Sequence, residues 1–299
     1  WLVVAIALFF VPGSVMILAP FYWAVWGLGI LDRFILMLHC TSHRSLFVDR
    51  RINAIIPWVI GPFFGQTPES YFVHHMGMHH PENNLAWDFS TTMPFHRDRF
   101  SNWLRYLLVF LSIGLFQLGH YHYRARNRKL LQRLMLGELA FWAVVALLCT
   151  INLAATLIVF VLPTLAVRTL MLIGNWGQHA FVDLKDPGNP YRNSITCINT
   201  RYNRRCFNDG YHIYHHIKPR THFTEYPVEF VANQAEYGRQ DAIVFDGIDF
   251  FQVWLFLVTG RWQKLARHFV ALPGAPIRDL EQIIEFLKSR VEKASRART

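Results

Sequence analysis

From Trp1 to Leu38 scarcely a polar residue interrupts the chain, and that constrains the fold more than any other feature of the sequence. In lipid every backbone polar group must be satisfied inside its own segment, so such a run reads as helix. A crossing needs about 20 residues. Pro12-Gly13 and Pro20 close a hairpin or kink a helix, which divides the run into two expected membrane helices, 1 to 18 and 21 to 38. Composition agrees: 53% hydrophobic and 15% aromatic residues with a mean hydropathy of +0.19 exceed the apolar share of an ordinary soluble domain, about 45–50%. Because the sequence opens on Trp1 within an apolar run, it is expected to lack its native start.

The formal charge of +10 and pI near 9.7 come from Lys and Arg between the apolar runs and at the C-terminus. In a membrane protein that pattern marks the cytoplasmic face. It also favours acidic headgroups or an acidic protein partner. Nucleic acid is not an expected partner, since no nucleic-acid motif accompanies the cations. The four cysteines, Cys40, Cys149, Cys197 and Cys206, form no CxxC pair and no framework spacing. Neither disulfides nor a zinc ribbon follow from them.

Histidines gather where the apolar runs end. The first box, His39-Cys-Thr-Ser-His43, places two imidazoles one helical turn apart, suited to one metal centre. Upstream, Asp32 shares a narrow face with His39 and His43, so it is expected to look toward His39 and belong to a substrate channel. A local contact with Arg33 is the alternative. Residues 52–66, broken by Pro57, Gly61-Pro62 and Gly65, suit a re-entrant or interfacial segment. In the second box His75 and His79 repeat the one-turn relation with His80 beside them, while His74 falls off that face and is expected to support the ligands from outside. Pro81-Glu82-Asn83-Asn84 ends that helix with polar groups able to orient ring nitrogens.

Residues 103–119 precede His120, His122 and a basic run from Arg124 to Lys129. They are expected to lie in or along the interface, with 139–173 supplying two tight crossings bent near Pro163. The competing arrangement makes 103–119 one crossing and 139–173 a single long one. Asn175 and His179 are again one turn apart. His212, His215 and His216 follow the i, i+3, i+4 relation expected to aim a triad at one point, with Asp209 a turn earlier as a candidate orienting carboxylate. Residues 242–258 are aromatic but carry Asp246 and Asp249, which suits a membrane-surface element. From Pro276 onward apolar residues recur at helical spacing, predicting an amphipathic helix started by that proline.

The expected fold is therefore all-α: a polytopic membrane protein with about four transmembrane helices, interfacial helices, and a cytosolic helical cap carrying the histidine boxes. Residues 1–260 form one catalytic membrane domain, and 261–299 a C-terminal cytosolic helix of the same unit. His39, His43, His75, His79, His80, His179, His212, His215 and His216 make nine imidazoles, more than one tetrahedral zinc uses. Without HExxH there is no glutamate in a peptidase's base position. Two redox-active irons that activate O2 account for both ligand number and lipid setting.

Three ordered histidine boxes, Asn175-x-x-x-His179 between the second and third, and apolar hairpins before the first box and after the second resemble the integral-membrane fatty-acid desaturase and hydroxylase superfamily from about Leu31 to His216. The resemblance implies a di-iron centre held by the nine histidines on the cytosolic side, in the endoplasmic reticulum or a bacterial inner membrane. It implies O2 as co-substrate, electrons from an acidic cytochrome b5, ferredoxin or rubredoxin type donor, and Asn175 holding a water near one metal. Many acyl desaturases have HxxHH in the second box. Here position 76 is Met and the usable pattern is His75-x-x-x-His79-His80, similar to the alkane monooxygenase branch, without the glutamates usual there.

The implied reaction is oxidation of a fatty-acyl or lipid alkyl chain, first desaturation, alternatively hydroxylation or oxidative decarboxylation to a terminal alkene. Positioning of the chain decides among them. Arg44 or Arg204 could meet a carboxylate or phosphate head. A membrane metal transporter or sensor is the reading from another class, and it requires histidines lining a path within the spans.

Overall fold

The computed structural model describes residues 1–11 and 13–294, which leaves the expectation on Pro12 and the last residues of the 261–299 segment outside the described chain. Contacts group the chain into two compact units, Trp1–Gly77 with Leu118–Leu170, and Met78–Gln117 with Met171–Thr299.

In the first unit the N-terminal run does not form two equal spans. Leu2–Phe10 is a nine-residue helix, about 14 Å long at 1.5 Å per residue and too short to cross. The chain turns at Gly13, whose φ of +71° suits a residue without a Cβ, and then runs as one 29-residue helix, Val15–His43. Pro20 lies inside it, and Ala24–Ile30 has π-helical geometry. Residues 50–63 form three short pieces, Arg50–Asn53, Ile56–Ile60 and Gly61–Phe63, as the prolines and glycines predict.

Three further helices are long and apolar enough to cross a membrane: Phe100–Arg124, Arg128–Ile151 and Leu153–Gln178. The run 103–119 is thus part of a 25-residue helix with the length for a crossing, more than the interfacial reading required. Residues 139–173 do belong to two helices, but the break is at Asn152 and not at Pro163. Asn152 is extended, and its side chain accepts from Ala155 N–H while donating to the Leu8 and Phe9 carbonyls. Pro163 is carried inside its helix next to the π-helical stretch Leu157–Val161, the kind of local adjustment that accommodates a missing N–H.

Two carboxylates in the first unit, one inside a candidate crossing and one beside it, are matched by cations, as a low-dielectric setting demands. Glu138 accepts from Thr67 Oγ1, from Trp142 Nε1 at 3.0 Å and from Arg168 Nη2 at 3.4 Å. Glu69 takes Arg133 and the Trp58 indole N–H at 2.8 Å. The Arg128–Ile151 helix approaches Pro68 so closely that a Cβ on Gly137 would sit 2.0 Å from the Pro68 carbonyl oxygen.

The second unit holds the described strands, Thr196–Ile198 and Val244–Asp246, paired in parallel with Cys197 opposite Phe245. Residues 242–258 are therefore core-building and not a membrane-surface element. Asp246 ends a strand, and Asp249 caps the helix Phe250–Val258 in a reciprocal box with Gln252. Phe245, Phe250, Val253 and Leu257 are buried in one cluster with Phe181, Ile195 and Leu287. The C-terminal helix is Leu280–Ser289, started by an Asp279 and Gln282 box and not by Pro276, because a side-chain cap satisfies N–H groups that a proline cannot. Arg97 is fully buried, with its guanidinium donating to the carbonyls of Ala180, Thr92, Phe95, Arg290 and Glu292. Burial lowers its pKa to about 9, and it remains a cation at neutral pH. It ties the loop after the second box to the C-terminal segment.

Candidate metal centre

The second unit assembles a histidine quartet. One ring nitrogen from each of His79, His179, His212 and His216 lies within 4.8 Å of the others. His212 Nε2 is 3.4 Å from His179 Nε2 and 3.0 Å from His216 Nε2. One Nε2 carries at most one proton and cannot satisfy several bare nitrogens, whereas a shared cation satisfies all of them.

The far sides of two rings fix their tautomers. His79 Nδ1 is 2.7 Å from Asp88 Oδ2 and donates to it. His179 Nδ1 is 2.8 Å from the Asn193 carbonyl oxygen, which can only accept. Both rings therefore turn an unprotonated Nε2 inward, the arrangement that orients metal-binding imidazoles. Burial, with His79 close by, pushes the His179 pKa down to about 3, so the ring is neutral at physiological pH.

Asp88 is itself fully buried and held by the backbone N–H groups of Asn84 and Ser90 and by the Ser90 hydroxyl. Asn84 Nδ2 donates to Asn193 Oδ1 at 2.8 Å, and Asn193 Nδ2 to the Asn83 carbonyl at 2.5 Å. The polar pair after the second box thus acts on the rings through Asp88 and Asn193. Asn175 Nδ2 donates to the Ser90 carbonyl and to Tyr106 Oη, both at 2.8 Å, which joins it to the Asp88 loop.

Also in this unit, His80 Nε2 and His215 Nε2 lie 3.0 Å apart, and His215 Nδ1 is 3.1 Å from the Tyr226 hydroxyl. The third box therefore does not aim three rings at one point. His212 and His216 enter the quartet while His215 faces His80. Adjacent helical residues diverge by about 100°, so 215 and 216 serve different places. Asp209 accepts from Tyr202 Oη at 2.7 Å and from Gln178 Nε2 at 3.2 Å. Burial and that carboxylate push the Tyr202 phenol up, which keeps it a donor.

In the first unit His39, His43 and His75 come together. His43 Nε2 and His75 Nε2 are 2.9 Å apart, and the His39 ring centre is 4.6 Å from that of His75 and 5.2 Å from that of His43. Tyr71 stacks on His75 at 5.1 Å and 19°. His74 joins neither group among the described residues. Asp32 is half-exposed, with Oδ1 accepting from the Arg33 N–H at 2.8 Å.

His75–His79 is π-helical. The buried His122 braces its start, Nε2 reaching the Val73 carbonyl at 3.3 Å. A Cβ on Gly77 would fall 2.9 Å from His122 Cε1 and 2.8 Å from Leu130 Cδ1. Asp88, Asn193, Tyr71, Tyr226 and His122 are the functional neighbours that spacing does not reveal. A carboxyl in reach of His79 could have been sought after the second box, but a backbone carbonyl such as that of Asn193 leaves no signal in residue type.

The residues present fit a metal: imidazole nitrogens gathered within ligand reach, with two of the rings oriented from behind by Asp88 and the Asn193 carbonyl. No curated protein and no solved structure matches the chain. The family model for fatty acid desaturases does, over residues 1–247. Matched over most of its length, this chain belongs to the fatty acid desaturase family.

Proposed function

We propose that the protein desaturates a fatty-acyl or lipid alkyl chain in an O2-dependent reaction at a di-iron centre. The observation that carries this reading is the quartet, four ring nitrogens gathered within ligand reach, two of whose rings are held from behind by acceptors on their outer nitrogens. His79, His179, His212 and His216 would hold one iron. The family resemblance implies a second iron, for which His39, His43 and His75 of the first unit and His80 and His215 of the second are the remaining imidazoles. Bound iron would supply O2 activation and hydrogen removal from an unactivated carbon. In balance, O2 takes two hydrogens from the chain together with two electrons and two protons, giving an alkene and two waters.

The chain's own residues supply the setting. Asp88 and the Asn193 carbonyl hold protons on the outer nitrogens of His79 and His179, so that their inner nitrogens stay bare. Asn175 anchors the Ser90 loop on which Asp88 depends. Electrons are supplied by an acidic carrier of cytochrome b5, ferredoxin or rubredoxin type, for which Arg201, Arg204 and Arg205, before the third box, provide opposite charge. Residues 1–260 make up the catalytic domain in this reading, with 261–299 a C-terminal helix of the same unit.

His79 precedes three candidate crossings and His179 follows them, yet both reach the quartet. An even number of full crossings must therefore separate them. Phe100–Arg124 has the lowest mean hydropathy, 1.2 against 2.2 for each of the other two, and it is the helix we place along the interface, with the histidines on the cytosolic face.

The test feeds fatty acids and alkanes of defined length to iron-replete protein with a reductase chain and O2, followed by mass spectrometry. Loss of two hydrogens supports desaturation. Gain of one oxygen or a product one carbon shorter replaces it with hydroxylation or decarboxylation. Unchanged turnover in both His79→Ala and His215→Ala would sink the metal-centred reading.

A further inference from the structure

The first unit contains a cavity of about 220 Å³ beside its three histidines, lined among others by Thr41, Ser42, Arg50, Glu69, Tyr71 and Arg133. The histidines themselves do not line it; Tyr71, stacked on His75 and 6.5 Å from His39 by ring centres, is the wall that separates the cavity from the trio. A cavity meant only for an alkyl chain would be apolar. This one carries two arginines and one carboxylate.

The charges do not cancel. Glu69 is matched by Arg133 Nε and Nη2 and by the Trp58 indole. Among the described residues Arg133 Nη1 keeps both N–H groups without a protein acceptor, and Arg50 is exposed at the cavity's edge with its guanidinium likewise unengaged. The surplus is one positive charge facing a small space.

The edge is also placed at lipid. Leu46, Phe47 and Val48 are 58%, 42% and 104% exposed, between Arg44 on one side and Arg50 and Arg51 on the other. An apolar tip flanked by cations sits at headgroup level, with its side chains among the acyl chains. Asn53 fixes that tip to the cavity edge, accepting from Phe47 N–H at 2.9 Å and donating to the Phe47 carbonyl at 2.7 Å.

We propose that this cavity binds the ionised carboxylate of a single-chain fatty acid entering from the bilayer, on Arg50 and Arg133 Nη1, with Tyr71 as the wall between the head group and the histidines. The occupant is a carboxylate and not a carrier thioester because a thioester carbonyl brings no charge to match the surplus cation, and because the volume equals about seven waters, far below a nucleotide-bearing carrier. With the head held one aromatic ring from the histidine trio, mid-chain carbons lie beyond it.

The proposal rests on the reading of the chain as a lipid oxidase, and the test separates the two. The full chain in nanodiscs of zwitterionic phospholipid is titrated with palmitic acid, methyl palmitate, palmitoyl-coenzyme A and lysophosphatidic acid in competition with a fluorescent fatty acid, without reductant. Expected is preference for the acid, lost by about tenfold in Arg50→Gln and blocked in Ala54→Trp, with methyl palmitate unaffected by Arg50→Gln. Equal binding of acid and ester, tighter binding of the thioester or the phosphate lipid, or unchanged acid binding in both variants overturns it. A second measurement locates the product's oxidised carbon over a series of acid lengths. A constant position near the carboxyl supports the proposal, and a mid-chain position overturns it. If binding behaves as expected while no acid is oxidised, the lipid-oxidase reading fails and the carboxylate site stands.

Discussion

The histidine quartet of the second unit and the trio of the first are built from the same residue type but supported differently. Behind the quartet stand hydrogen-bonded partners of fixed role, the buried Asp88 carboxylate and the Asn193 carbonyl, themselves tied by Asn84 and Ser90. Beside the trio stand an aromatic face, Tyr71, and a cavity. In burial the groups are alike, each with one half-exposed member, His216 and His43, and the rest buried, so the contrast lies in what stands behind the rings. The difference separates two tasks. One group is preorganised to hold a cation whatever happens around it, and the other leaves room for something to arrive.

That contrast can be broken by mutation. His212→Ala removes a quartet nitrogen and is expected to lower bound iron from two to about one per chain, measured by elemental analysis of the purified protein. Should both irons persist, the quartet is not a metal site. The next effect is acid sensitivity of iron-free protein. The folded pKa of His179 is pushed down to about 3, below the ordinary value near 6.5. The unfolded chain therefore takes up protons first as pH falls. Stability is full above about pH 6.5 and declines toward pH 3. A melting temperature for the iron-stripped protein that is no lower at about pH 5 than at about pH 7.5 would contradict this.

Asp88→Asn keeps the shape but replaces the carboxylate that takes the His79 proton. Loss of such an outer partner weakens metal binding by about 10–100-fold, read from competition with a chelator. The smallest effect belongs to the trio. Tyr71→Leu removes a stacked ring worth about 0.5–1.5 kcal/mol, so iron affinity falls no more than about tenfold while affinity for fatty acid changes. If Tyr71→Leu were as damaging to iron as Asp88→Asn, the division of tasks would be wrong.

Much of this was legible in advance, and the limits have physical causes. Helical class, the apolar crossings and the nine histidines follow from periodicity and residue type. The first expected span failed because hydropathy measures composition and not continuity: the chain turns at Gly13, and Pro20 is absorbed within the Val15–His43 helix. Residues 242–258 misled because aromatic side chains serve a protein core as well as a membrane surface, and Asp249 was a helix cap in disguise. The grouping of ligands within the third box stayed hidden because it depends on which ring meets which partner. Asp88 stayed hidden because the turn that brings it to His79 follows no helical or strand period.

The wide turn at His75–His79 bears on how histidine spacing is compared between proteins. An extra residue in an ordinary helix would rotate everything after it by about 100°. A π-helical turn takes up one residue locally and returns the following chain to its former direction. The second box, longer by one than HxxHH, sits within such a turn, with Gly77 giving the clearance that His122 and Leu130 require. Box length is therefore elastic, and two sequences that disagree by one position can still deliver their imidazoles in the same directions.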